Sequence, residues 1–179
     1  MPGPSVDLLA QLRPSQVGVT VAGHHFVLQA TTAAQWIGAI ALDTKDLYGI
    51  MPGLIEDQDV DMMYELMSTH PDIDQRWFWA ARTALGRAAG RDWWWALNLS
   101  KRSLAIWTYI NGTLLRQGVD AKVISYPDWL DACYTLLWSG GDEEQRMKLD
   151  LELSARPVGL PTRISREANK QAMMEFAAD

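Results

Sequence analysis

The chain has 179 residues, 48% of them hydrophobic, enough for one domain with a sizeable core and too many for wholesale disorder. A formal net charge of −6 leaves no basic excess to neutralise phosphates, so composition argues against nucleic-acid binding. Cys133 is the single cysteine, which excludes an intrachain disulfide, and no apolar run approaches the ~18 residues that span a bilayer. With neither the charged start nor the long apolar stretch of a signal peptide, the expectation is a cytoplasmic protein without a membrane segment.

Residues 1–15 carry prolines at 2, 4 and 14 and read as an N-terminal arm. Residues 16–30 read as a β-hairpin. Val17, Val19 and Val21 alternate with Gly18, Thr20 and Ala22, and Phe26 and Leu28 alternate with Val27 and Gln29, which is period two. A two-residue type II′ turn at Gly23-His24 would pair Val21 with Phe26 and Val19 with Leu28, all four on one face. A lone hairpin is marginal in water, so helices or a partner's strands must cover that face.

From residue 31 the period becomes helical, and residues 31–153 read as a helical body. Thr32 opens a helix holding Trp36, Ile37 and Ile40, which breaks around residues 48–54 at Gly49, Pro52 and Gly53. The acidic run from Glu56 to Asp61 starts a helix with Val60, Met63, Tyr64 and Met67 on one side. Pro71-Asp72 introduces a helix over 73–89, with small residues at positions 81, 84 and 88 and Gly90 as terminator. Asp92 caps the longest predicted helix, 93–117. Residues 119–125 read as an extended link, Pro127 starts the next helix, and Gly140-Gly141 breaks it before Asp142 caps the last. Residues 154–179 read as a C-terminal linker and helix, the helix over 163–178. The predicted fold class is mainly α, a helical domain with an N-terminal β-hairpin.

Catalytic groups are scarce. His24-His25 falls at the hairpin tip and His70 before a proline, without the clustering of a metal site. Asp57, Asp59 and Asp61 resemble the start of a calcium loop, but Met62 and Ser68 occupy the positions that need Gly and Glu. No nucleophile elbow, Walker A loop or dinucleotide fingerprint is present. The reading is therefore no enzyme, no cofactor and no metal.

Tryptophan dominates instead, with 9 in the chain. Three consecutive Trp on a helix fan over roughly 200° of its surface, whereas a core stripe is little wider than ~100°. In Trp93-Trp94-Trp95 the outer two extend the apolar stripes through Leu97, Leu104, Trp107 and Leu114 and through Leu99, Ile106 and Ile110. Trp94 heads the polar side with Asn98, Lys101 and Thr108. Trp77-Phe78-Trp79 repeats the problem, with Trp79 beside Thr83 and Arg87. Trp79 and Trp94 either pack under another element or serve as anchors for another protein. The hairpin residues Val19, Val21, Phe26 and Leu28 are the other protein-binding candidates, through self-association into a homo-oligomer.

The segment Ala88-Ala89-Gly90-Arg91-Asp92-Trp93-Trp94-Trp95-Ala96-Leu97 resembles the tail assembly chaperones of long-tailed, siphovirus-type phages of actinobacteria. So do Trp107…Asn111-Gly112…Leu115…Gly118-Val119-Asp120 and Trp129-Leu130-Asp131-Ala132…Tyr134, and the similarity runs over about residues 17–157. The resemblance implies a protein that coats the tape-measure protein while the tail tube polymerises, in the cytoplasm of the infected host. It also implies departure before the virion is complete, and a frameshifted long form of the same protein as a further partner. The family has no catalytic residues to carry over. Two other classes remain open: a virion structural or head-tail connector protein, and a small ligand-binding protein or enzyme with an aromatic pocket.

Overall fold

The computed structural model describes residues 17–42 and 53–157. The expected N-terminal arm, most of the break at 48–54 and the C-terminal helix over 163–178 lie outside the described residues. Within them the chain is mainly helical, with seven helices following an N-terminal antiparallel hairpin.

Strands β1 (Val17–Val21) and β2 (His24–Leu28) form the hairpin, but in a different register from the predicted one. Val21 pairs with His24, Val19 with Phe26 and Val17 with Leu28. The turn is Ala22-Gly23, with φ of 49° and 83°, the positive pair that a type I′ turn requires. The type II′ turn at Gly23-His24 is thus corrected. A type I′ turn follows the right-handed twist of the strands, and this outweighs the strain of an alanine at positive φ. The pairing shifts by two residues, an even number, so the face survives: Val17, Val19, Val21, Phe26 and Leu28 are all buried together.

Helix α1 (Ala33–Leu42) buries Trp36, Ile37 and Ile40. Its first amides do not rely on Thr32. Ala33 N donates to Ile124 O at 2.9 Å and Ala34 N to Ala121 O at 2.8 Å, while Gln35 Oε1 accepts from Thr31 N and Thr32 N. The segment at 119–125, expected to be extended, is instead a run of turns whose carbonyls cap α1. Helix α2 (Asp57–Thr69) buries Met63 and Leu66, and Tyr64, expected on the inner side, is 62% exposed.

Helix α3 (Ile73–Ala89) ends at Gly90 in the left-handed conformation, φ 63°, as predicted. Its alanine-rich side is approached by β1 and by α4 (Trp93–Ala105). The predicted long helix over 93–117 is in fact two. The chain leaves helical geometry at Ile106 (φ −124°, ψ 36°) and resumes as α5 (Trp107–Arg116). The bend reorients the apolar stripe. Ile110 and Leu114 are buried after it, while Ile106, expected in the stripe, is 42% exposed. Tyr126–Gly140 forms α6, started by Ser125 and Pro127, and Glu143–Ser154 forms α7, started by a complete capping box of Asp142 and Gln145.

Helix α4 is the hub. It packs against α1, α3, α5, α6 and α7. A helix with neighbours on so many sides has no single inner stripe, and this decides the fate of its tryptophans.

Candidate functional site

The hairpin face offers no free surface. Val19, Val21, Phe26 and Leu28 are each at most 3% exposed, because β1 lies on α3 and Phe26 meets Trp77 edge to face at 5.2 Å. The cover that the sequence demanded comes from the chain's own helix, so a second subunit is not needed to provide it.

The three consecutive tryptophans are shared out among three neighbours. Trp95 lies beside Tyr134 of α6 at 5.8 Å, with the Arg91 guanidinium over its ring at 4.3 Å. Trp93 faces α3, with the Arg82 guanidinium 4.3 Å from its ring. Trp94, placed by the sequence on the polar side, is the most buried of the three at 9% exposed. That side of α4 is covered by α7. Asn98 Nδ2 donates to Glu152 O at 3.3 Å, Arg102 pairs with Glu152, and Arg156 lies 5.6 Å from the Trp94 ring. Asn98 and Arg102 thus reach α7, while Lys101 and Thr108 stay exposed. Trp94 is therefore a packed residue, not an exposed anchor.

Trp79 differs. It is 39% exposed on the outer side of α3. It lines a cleft of about 550 Å³ with Arg82, Thr83, Arg87, Arg91 and Trp93. The Arg82 guanidinium stacks on Phe78 at 3.1 Å and stands 5.3 Å from Trp79, so it lies among three aromatic rings. Arg87 reaches across to donate from Nη1 to Gly18 O at 2.6 Å, and Arg91 pairs with Asp131 of α6. The start of α4 lines the same cleft with Asp92, Trp93 and Trp94. Helical spacing places Thr83 and Arg87 beside Trp79 on one face, and all three line this cleft; Arg82 and Arg91 were not singled out from the sequence.

A second hollow, about 470 Å³, lies on the far side of Arg87 and Arg91, against Trp36, Tyr126 and Asp131. Its polar groups are engaged within the protein. Ser100 Oγ and Tyr126 Oη hydrogen-bond at 2.8 Å, and Arg91 holds Asp131. Burial pushes the Tyr126 phenol well above its ordinary value, against the opposing hydrogen bond from Ser100. Cys133 is fully buried, and burial pushes its thiol up to about 12, with the Ser103 hydroxyl opposing the shift. Tyr134, desolvated and donating to Asp150 Oδ1 at 2.8 Å, is likewise raised.

His24 and His25 are exposed on β2, and Asp57 and Asp61 lie on the outer side of α2. Among the described residues no group of three or more His, Cys, Asp and Glu is placed to hold a metal ion. Among the same residues no helix is long and apolar enough to cross a membrane. Comparison of the chain with family models, with curated proteins and with solved structures finds no match.

Proposed function

We propose that the chain is a non-catalytic phage tail assembly chaperone. It holds the tape-measure protein during tail-tube assembly in the cytoplasm of the infected bacterium and is absent from the finished virion. A frameshifted long form of itself is a further partner. The observation that carries this reading is the position of the segment 88–97, the strongest point of the family resemblance. It supplies the end of α3, the Gly90 turn and the start of α4, and so builds one wall of the cleft beside exposed Trp79. A partly exposed indole next to a stacked guanidinium is the residue chemistry enriched at protein-binding hot spots.

The test is co-purification of the tape-measure protein with tagged chain from infected cells. Trp79→Ala is expected to weaken capture by ~5-fold or more, the effect of losing over ~1 kcal/mol at a hot spot. Undiminished capture by that variant removes the cleft from the reading. Stoichiometric chain in purified virions favours the structural or connector class instead.

A further inference from the structure

We propose that the chain's own C-terminal tail fills the α3–α4 cleft, with Leu160-Pro161 against Trp79. The point where the chain leaves the described residues carries the inference. Helix α7 ends at Ser154, the last described residue is Pro157, and between them the Arg156 guanidinium lies 5.6 Å from the Trp94 ring. Trp94 lines the cleft and meets Trp93 edge to face at 5.7 Å. The Arg82 guanidinium stands 4.3 Å from Trp93 and 5.3 Å from Trp79. The chain therefore departs from the edge of the cleft. An extended chain advances about 3.3 Å per residue, which brings Leu160 and Pro161 within reach of Trp79.

The chemistry of the cleft fits this occupant. Its arginines are engaged: Arg91 pairs with Asp131, Arg87 donates to Gly18 O, and Arg82 stacks on Phe78. Indole surface is what the cleft still offers, with Trp79 39% exposed beside Trp93. Among the described residues Asp92 is the one carboxylate lining the cleft, and it forms no ion pair with any of them. The tail supplies both complements. Residues 158–166 hold no acid, and they present Leu160-Pro161 and then Arg163, the first charge beyond Arg156. Pro161 disfavours helical geometry at Leu160, so the pair arrives extended and loses little entropy on docking against aromatic rings. Arg163 then pairs with exposed Asp92 at the rim. A segment tethered at the edge of its site has a high effective concentration, so weak docking is enough to fill it. The tail covers the indole that a client would use, and client capture then requires its displacement; that consequence alone rests on the proposed function.

The experiment is acrylamide quenching of tryptophan fluorescence in the full chain, without any client. Leu160→Ser with Pro161→Ser removes the docking pair and should raise the quenchable emission by about the share of one indole among the 9, with helix content unchanged. Trp79→Phe keeps a ring in the cleft and removes the reporter. Adding the two tail substitutions to Trp79→Phe should therefore change the quenching little. The difference between wild type and tail variant should persist through a wide dilution series, because the tail belongs to the same molecule. A tail variant that quenches like wild type overturns the proposal. So does an increase that survives undiminished in Trp79→Phe, which would put the tail elsewhere on the protein. A difference that vanishes on dilution overturns it too, since the tail of a second copy would then be the occupant. With no client in the measurement, each of these failures strikes the tail and leaves the client reading standing.

Discussion

Trp77 and Trp79 stand two residues apart on α3 and have opposite environments. Trp77 is 1% exposed under the hairpin and Trp79 is 39% exposed beside the arginines. Trp77→Ala should cost ~3–5 kcal/mol, the range for a truncated core aromatic, while Trp79→Ala should cost under ~1 kcal/mol. Urea unfolding of both variants measures the difference. Trp94→Ala is closer to Trp77 in exposure, at 9% with Arg156 beside its ring, and should cost at least ~2 kcal/mol. A Trp94→Ala loss below that of Trp79→Ala would mean that α7 leaves α4 in solution. Cys133 is shielded and its thiol is held protonated, so a thiol reagent at pH 8 should leave the native protein unlabelled and label it once denatured.

At the scale of elements, two ends of chain segments carry measurable stability. The hairpin turn holds Ala22 at φ 49°, a conformation costing an ordinary L-residue roughly 1–2 kcal/mol. Ala22→Asn creates the Asn-Gly pair that type I′ turns prefer and should raise stability by about 1 kcal/mol, read as a higher Tm. The expected II′ turn would have placed residue 22 outside the left-handed region, so a neutral result would favour that register. At the other end, Asp142→Ala removes the capping box of α7 and should cost ~0.5–2 kcal/mol. Because α7 packs on α4, the helix that carries Trp94, and leads to Arg156 beside that ring, the same variant should also increase quenching of tryptophan fluorescence by solvent agents.

For the whole molecule, buried acids that ionise late impose a pH dependence. The Cys133 thiol is raised from its ordinary 9.0 to about 12, and the Tyr126 phenol is raised further than its ordinary 10.0. Above pH 9 the unfolded chain releases protons that the folded chain keeps, so stability is full below pH 9 and falls as pH rises through 9 and 10. Each group contributes a loss of at most about 1.4 kcal/mol per pH unit. Cys133→Ala should flatten the fall between pH 9 and 10, as measured by urea midpoints across that range.

The sequence by itself determined the local elements. Period-two valines specified the hairpin and its buried face, and Gly90, Pro127 and Asp142 marked helix ends where the chain does turn. These are short-range properties, set by side-chain alternation and backbone sterics within a few residues. Only the tertiary structure decided what covers each element. The hairpin face could equally have met a partner, and β1 lies on α3 instead. The polar side of the helix predicted over 93–117 reads as solvent-facing from Asn98, Lys101 and Thr108; Lys101 and Thr108 are exposed, but Asn98 donates to Glu152 on α7, 54 residues away. The break at Ile106 carries no proline or glycine, and it follows from α5 turning across α6, where Trp107 approaches Trp129. The arginine–tryptophan cleft is of the same kind. Its residues come from two helices joined by a left-handed glycine, and periodicity within either helix cannot report a hollow between them.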